Sequence, residues 1–365
     1  MAAIQGIELS RQYYWDIVAP WLSREFPGLD HAAALIGYGS ELLGLDDEMS
    51  RDHDFSARVQ LFVSETQFDG SATAVVGGFG KVAPPSFLGV TTRGGSSRHR
   101  VLARGDESHG VEVWTVGAAL GHWLAIDADV PLQPIDWLGF AEQRLLSITA
   151  GEVFRDDTGA LTALRTDLSY FPRDVWLYKL ASRWRRVAEE QAFVGRAGFV
   201  GDELGSRVIA ARLVRDLMRL AFLIERRYAP YSKWLGAAFS RLPCAGDLSP
   251  LLDRALGAPD WKTRDAALAE AYLAAAELHR SRGLPGGFQP RVGAYFTRPF
   301  TVINADEIVA SIRAEIVDPA LRGLPVIGAL DEVTDSTAVI ESPQRSRAAM
   351  RALFDDVESG PLEEA

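Results

Sequence analysis

The 365-residue sequence predicts an α+β domain with a mixed sheet and helices, followed by a C-terminal helical bundle. In the first half, short apolar runs end at Gly, Ser or acidic residues, a pattern typical of buried strands. In the second half, apolar residues recur every three or four positions, which is typical of amphipathic helices. The length favours two domains. We place them at residues 1–160 and 161–365, the second ending in a frayed acidic tail.

Composition narrows the classes of partner. The chain has 38 Lys and Arg against 49 Asp and Glu, so its net charge is −11. This disfavours broad nucleic-acid binding, because such binding depends on neutralising phosphates. No apolar run of about 18 residues predicts a membrane span, and the N-terminus lacks a secretory pattern. The single Cys244 excludes an intrachain disulfide. We therefore expect a cytoplasmic protein that binds small molecules or proteins, with its oligomeric state open.

The elements of the first domain follow from local patterns. Helical spacing of apolar residues predicts a helix over 9–26, kinked or divided at Pro20. The remaining expectations are strands at 32–38, 55–63 and 110–115, a long Gly- and Ser-rich loop at 64–100, and a short hairpin at 149–159.

The second domain shows a different periodicity. One apolar face recurs along each long segment, which predicts helices rather than strands. Asp174 is a candidate cap at the start of the first of them. The expected helices cover 174–195, 202–228, 232–242, 261–283 and 305–316.

Three carboxylates form the candidate catalytic group. Asp52 and Asp54 lie two positions apart on one strand, so their side chains point to the same face. Glu112 lies on another strand and would complete the cluster. Such a cluster repels itself unless a cation is bound. Hard oxygen ligands suit Mg²⁺, which bridges readily to phosphates, and two such ions can assist the attacking and leaving oxygens.

A Gly-Ser pair lies upstream of these acids. Gly39 and Ser40 follow the first apolar run, at the point where a buried strand should end. Glycine lets the backbone approach phosphate oxygens, and the serine offers an N–H and a hydroxyl. The stretch therefore predicts a site for a metal-bound triphosphate.

The order of these motifs resembles that of the polymerase-β-type nucleotidyltransferase superfamily: a strand, Gly-Ser, Asp-x-Asp about ten residues later, and a lone acid on a later strand. The second half is similar to the helical domain of aminoglycoside nucleotidyltransferases. A closer resemblance, over roughly residues 10–355, is to the bacterial proteins of the domain of unknown function DUF4037; it rests on GSELLGLDDEMSRDHDF, VGDELGSR and RRYAPYSKWLG. The resemblance implies a nucleotidyltransferase fold, Mg²⁺ and a nucleoside triphosphate, with ATP as the expected nucleotide.

The resemblance also implies roles in the helical half. Related enzymes place a lysine at a helix start on the triphosphate, which points to Lys233 as a point charge for phosphate. They also use an acid of this domain to deprotonate the acceptor hydroxyl. Glu190 is the candidate base, with Asp202 and Glu203 as alternatives. For Arg207, Arg212 and Arg215, two roles are left open: contacts with the phosphates, or ion pairs with acidic residues.

Two positions depart from the superfamily pattern. An apolar residue usually stands between the two aspartates and another just before them, whereas this chain has His53 and Arg51. The second strand is therefore expected to start late, with His53 facing away from the metals. The six histidines lack the ordered spacing of an HD-type metal site.

The predicted reaction moves a nucleoside monophosphate from a triphosphate to a hydroxyl of an unidentified small-molecule acceptor, with release of pyrophosphate. Two alternatives belong to other classes. One is a protein- or RNA-modifying nucleotidyltransferase of the toxin–antitoxin kind. The other is a nucleotide-binding module without catalysis.

Overall fold

The computed structural model describes residues 4–47, 55–92 and 109–354. The chain forms two compact units. The first comprises Met1–Pro131 and Arg144–Ser169, and the second comprises Leu132–Gln143 and Tyr170–Ala365. Within the described ranges, no helix combines the length and the apolar character that crossing a membrane requires.

Helices dominate the described chain. The first seven are α1 Gly6–Tyr13, α2 Ala19–Glu25, α3 Glu65–Gly80, α4 Val116–Leu124, α5 Pro134–Leu138, α6 Glu142–Thr149 and α7 Ala160–Asp167. The others are α8 Arg173–Glu190, α9 Phe193–Phe199, α10 Glu203–Ile224, α11 Ser232–Phe239, α12 Ala245–Gly257, α13 Trp261–Ser281, α14 Ala305–Ala314, α15 Pro319–Gly323, α16 Leu330–Val333, α17 Thr337–Ile340 and α18 Pro343–Phe354.

Strands form one larger sheet and two short hairpins. They are β1 Ala32–Leu35, β2 Val59–Phe62, β3 Ser86–Phe87, β4 Val90–Thr91, β5 Val111–Trp114, β6 Glu152–Asp156, β7 Gly293–Tyr295 and β8 Arg298–Val302. The larger sheet has the order β5-β2-β1-β6. Strand β1 is antiparallel to β2 and β6, and β2 is parallel to β5. The predicted α+β class with a mixed sheet is confirmed.

Alternation along the central strands separates the two faces of this sheet. Val59, Leu61, Val111 and Val113 belong to the core that α1 and α3 cover. The opposite face carries Gln60 and Glu112, which lie side by side in register. The polar side chains therefore share the face away from this core.

The N-terminal helix is divided as expected near Pro20, but by a π-helical turn. Residues Tyr14–Val18 form this turn between α1 and α2. Pro20 then lies in the first turn of α2. The irregular segment of the helix therefore lies just before the proline.

Two expectations for the first half were wrong. Residues 64–100 were expected to be a loop, yet α3 occupies Glu65–Gly80. Its buried Val75 and Phe79 lie four positions apart and pack into the core, so tertiary burial outweighs the low helix propensity of its glycines. Residues 149–159 were expected to form a hairpin, but they contribute one strand, β6, which pairs with β1 instead.

The second half is helical as predicted. Helices α8, α10, α11, α13 and α14 coincide with the five expected segments to within a few residues. The prediction that Asp174 caps the first of these helices was wrong, because Pro172 occupies the cap position of α8. Asp174 instead accepts hydrogen bonds from the backbone N–H groups of Val317 and Asp318, at 2.8 and 2.6 Å.

Candidate functional site

The predicted metal ligands are only partly within the described structure. Asp52 and Asp54, together with His53, lie outside the described residues. Strand β2 begins at Val59, later than the predicted start at Phe55. Among the described residues, no group of three or more His, Cys, Asp or Glu side chains is placed to hold a metal ion. The three-carboxylate cluster stays a prediction.

The sheet topology nevertheless brings the candidate residues that the structure describes to one edge of the sheet. Because β1 runs antiparallel to β2, and β2 parallel to β5, the end of β1 lies beside the beginnings of β2 and β5. The turn after β1, the residues before β2 and the first residues of β5 therefore meet. We call this region the polar sheet edge, defined by Gly39, Ser40, Arg58, Gln60 and Glu112.

The turn after β1 requires its glycine. Gly39 has φ +119°, in the region that side chains rarely adopt. A Cβ there would lie 2.2 Å from a carboxylate oxygen of Glu41. Ser40 then opens a 3₁₀ turn, Ser40–Leu43. Gly39 itself is exposed, so the turn presents open backbone at the sheet edge.

A buried arginine supports this turn. The Arg58 side chain is 7% exposed and forms an ion pair with Glu41. It also donates to the carbonyl oxygen of Tyr38 and lies 4.0 Å from the centre of the Tyr38 ring. Within the described ranges, its Nε and Nη1 have no hydrogen-bond partner. The guanidinium therefore fixes the turn and keeps unused donors.

Electrostatics keep this arginine charged. Burial lowers the pKa of Arg58, but the interactions with Glu41, Tyr38 and Glu112 together outweigh it. The net pKa shift is upward. Sequence reasoning missed this residue. The available signal was one cation at the start of an otherwise apolar strand.

Glu112 lies on the polar face of β5 and is half-buried. Its Oε2 accepts a hydrogen bond from Trp114 Nε1 at 3.0 Å. The neighbouring Gln60 amide is bound to the backbone of Ile36 through both of its ends, at 3.0 and 2.9 Å. A carboxylate at this edge suits Mg²⁺, which prefers oxygen ligands. The charge of Glu112 also contributes to the raised pKa of Arg58.

Lys233 lies in the first turn of α11, as predicted, and is exposed. Its ammonium nitrogen is 4.6 Å from the centre of the Trp234 ring. The loop before α11 is held by two side chains. Glu142 accepts from the N–H of Ala229 at 2.8 Å, and Gln143 accepts from that of Tyr231 at 3.0 Å. The start of the helix, and with it Lys233, is thereby positioned.

Glu190 ends α8 and is only 8% exposed. Its Oε1 lies 2.7 Å from Arg212 Nη2 and 3.5 Å from Arg186 Nη2. In the part of the chain that the structure describes, no partner bonds its buried Oε2. One oxygen is thus tied to arginine, and the other is the atom that could accept a proton.

The two alternative bases have structural partners. Asp202 caps α10 by accepting from the N–H of Gly205 at 2.7 Å. Glu203 accepts from the N–H of Trp261 at 3.0 Å and from Arg264 Nη1 at 3.1 Å. Both carboxylates therefore serve the packing of α10.

The histidines and the arginines of α10 also have identifiable contacts. His31 bonds the hydroxyl of Tyr14 at 2.9 Å inside the core. Arg207 donates to the carbonyl of Pro259 at 3.3 Å, whereas Arg215 lies 3.0 Å from Asp335.

Comparison with known proteins identifies one family. Residues 137–235 match the family model of a domain of unknown function, DUF4037. This confirms the predicted DUF4037 resemblance, over a shorter range than expected. No curated protein matches the chain. Among solved structures, the chain is similar to a nucleotidyltransferase-like protein from Exiguobacterium sibiricum, with a TM-score of 0.32 and 11% identity over 74% of this chain and 75% of that one.

The DUF4037 region contains a buried charge network that sequence reasoning missed. Lys179 is fully buried, with its ammonium 3.1 Å from Glu142 and 3.5 Å from Glu332. Arg183, also buried, pairs with Asp216 at 2.6 Å and with Glu332. Glu332 lies beyond the family match and closes the network from α16. Helix α8 and the loop before α11 are therefore held by the same set of charges.

Proposed function

We propose that this protein transfers a nucleoside monophosphate from a nucleoside triphosphate to an acceptor hydroxyl. The observation that carries the proposal is the polar sheet edge, where an open Gly-Ser turn, Arg58 just before β2 and Glu112 on β5 meet. In the proposed site, Asp52, Asp54 and Glu112 hold Mg²⁺, which would neutralise the phosphates and assist the leaving pyrophosphate. Gly39 and Ser40 receive the β- and γ-phosphates.

The helical unit supplies the other proposed roles. Lys233 adds positive charge for the triphosphate, since its helix start is positioned and its ammonium is exposed. Glu190 is the proposed base for the acceptor hydroxyl, because it combines burial with an oxygen that has no partner within the described ranges. A small-molecule acceptor is the first choice, and a protein or RNA acceptor is the alternative to be tested.

A calorimetric titration with ATP, GTP, CTP and UTP, each with and without Mg²⁺, tests the first step. We expect Mg²⁺-dependent binding that Asp54→Asn weakens at least tenfold, because a metal ligand is lost. Asp129→Asn is the matched control, as Asp129 is an exposed acid of the same unit. If no nucleotide binds, or if both variants behave like the wild type, the proposal is wrong.

A nucleotide-binding role without catalysis is the second candidate, favoured by Arg58. A fixed guanidinium beside Glu112 could replace a metal ion as the partner of a phosphate. This role predicts nucleotide affinity that is unchanged when Mg²⁺ is removed. It also predicts no release of pyrophosphate with pooled small-molecule, protein or RNA acceptors. Release of pyrophosphate with any of them excludes this candidate and identifies the acceptor class.

A further inference from the structure

A polar cavity of about 350 Å³ lies within the helical unit. Helices α8, α10 and α16 and the segment that follows α16 form its walls. We call it the arginine pocket, defined by Arg183, Arg186, Arg212, Arg215, Thr334 and Asp335. Three further carboxylates, those of Asp216, Asp331 and Glu332, also line it.

Helix geometry explains why these arginines converge. Arg183 and Arg186 are three positions apart on α8, and Arg212 and Arg215 are three apart on α10. Residues at this spacing lie on the same face of a helix. Because α8 and α10 both line the cavity, each presents one pair of arginines to it.

The floor of the arginine pocket is electrically compensated. The Arg183 side chain is 2% exposed and lies between Asp216 and Glu332. Its Nη1 is 2.6 Å from Asp216 Oδ1. Within the described ranges, its Nε has no hydrogen-bond partner. The floor therefore adds little net charge, but it keeps one buried donor.

Arg186, Arg212 and Arg215 form the rim of the pocket. They differ from Arg183 because they use few of their hydrogen-bond donors. The carboxylate oxygens nearest to Arg186 lie 3.5 Å away, beyond the usual hydrogen-bond distance. Among the described residues, Arg212 is bound to Glu190 through Nη2, and Arg215 to Asp335 through Nη1. A guanidinium carries five N–H donors. Most of the rim donors are therefore left for a ligand.

We propose that the arginine pocket binds a small polar molecule with one oxyanionic group and a hydroxyl or ammonium donor. The planar guanidinium fork matches phosphate and carboxylate oxygens. Thr334 and Asp335, on the segment that follows α16, accept hydrogen bonds from the rest of the ligand. Val333 is the one apolar side chain among the lining residues, so an apolar ligand has little surface to cover. This inference does not depend on nucleotidyl transfer.

Calorimetry on the full chain at low salt tests the proposal with three probes: inorganic phosphate, O-phosphoethanolamine and ethanolamine. We expect phosphate to bind, O-phosphoethanolamine to bind more tightly, and ethanolamine not to bind. Arg212→Gln and Arg215→Gln should each weaken phosphate binding about tenfold, because each removes a charge-assisted hydrogen bond. Circular dichroism confirms that these partly exposed substitutions leave the helices intact.

Arg207→Gln is the matched control, since Arg207 is exposed on the same helix but does not line the pocket. Equal loss in this variant would mean a general attraction of anions and would overturn the proposal, as would the absence of phosphate binding. If O-phosphoethanolamine binds no more tightly than phosphate, the role of Asp335 is wrong. Binding must also persist in Asp54→Asn, because its loss there would assign the phosphate to the nucleotide site instead.

Discussion

Two buried arginines, one in each unit, are supported in different ways. In the helical unit, Arg183 lies between Asp216 and Glu332, and its neighbour Lys179 shares Glu332 and also pairs with Glu142. In the sheet unit, Arg58 has one carboxylate, Glu41, and two buried nitrogens for which the described residues provide no partner. Desolvated charge is costly unless it is compensated. The first cation is therefore compensated by two carboxylates, whereas the second is compensated by one and keeps two buried nitrogens that the described residues do not bind.

The largest loss of stability should come from removing one carboxylate from the buried charge network of Lys179 and Arg183. Glu332→Gln leaves Lys179 and Arg183 buried with less negative charge, and should lower the free energy of unfolding by about 3–5 kcal/mol. Glu270→Gln is the control, because Glu270 pairs with Arg254 in an exposed ion pair worth at most about 1 kcal/mol. Urea unfolding measures both. A small loss in Glu332→Gln would show that the network is not structural.

The same network makes a pH prediction. Burial raises the pKa of Glu332, but Lys179 and Arg183 outweigh it and bring that pKa to about 2, below its ordinary value of 4.5. A lowered carboxyl pKa stabilises the folded state above the unfolded value, and this stabilisation is lost as the pH falls from 4.5 toward 2. This shift in pKa corresponds to a loss of about 3 kcal/mol of unfolding free energy.

The neighbouring Asp331 acts with the opposite sign. Burial and the repulsion of Glu142 raise its pKa, so its contribution is present at low pH and lost as the pH rises. Comparing the wild type with Glu332→Gln isolates the contribution of the Glu332 carboxylate. The variant should show a flatter decline of unfolding free energy between about pH 5 and pH 2. Parallel curves for the two proteins would contradict this assignment.

Arg58 can be tested by removing first one partner and then both. Arg58→Met leaves Glu41 buried and uncompensated, and should cost about 3 kcal/mol of unfolding free energy. Adding Glu41→Leu should recover most of this loss, because an apolar pair can replace a buried ion pair. If the double variant is stable but no longer binds ATP, Arg58 and Glu41 serve the substrate. ATP binding that survives in the double variant would make the pair merely structural.

The difference between these regions also explains what the sequence could predict. Helices such as α8 and α10 were predicted because their apolar periodicity is a local signal. Helix α3 was missed because its glycines resemble a loop, although its buried face meets the core. The partners of Arg58 and Lys179 could not be predicted. Glu41 is 17 positions from Arg58, and Glu332 is 153 from Lys179, so tertiary packing alone decides these pairs.

The candidate site was predictable where local geometry suffices. The Gly39-Ser40 turn and the strand position of Glu112 follow from residue type and alternation, and the structure places both at one sheet edge. Arg51 and His53 pointed to a late start of the second strand, but it begins at Val59, later still than the predicted Phe55. The meeting of Asp52 and Asp54 with Glu112 stays a prediction, because the first two lie outside the described residues.

The smallest expected effect concerns the turn itself. Gly39→Ala must accommodate both a positive φ and a Cβ 2.2 Å from Glu41, and the resulting strain should cost about 2 kcal/mol of unfolding free energy. Gly159→Ala is the matched control. It has φ +74° and open space around the added Cβ, so it should lose only about 1 kcal/mol, the cost of the left-handed conformation.

Because moving Glu41 also moves its partner Arg58, Gly39→Ala should weaken ATP binding, whereas Gly159→Ala should not. Urea unfolding and calorimetry on the two variants measure both quantities. Equal stability losses would show that Glu41 yields without strain. Unchanged ATP affinity in Gly39→Ala would separate the turn from the phosphate site, and the donors of Arg58 would then be directed at something other than a nucleotide.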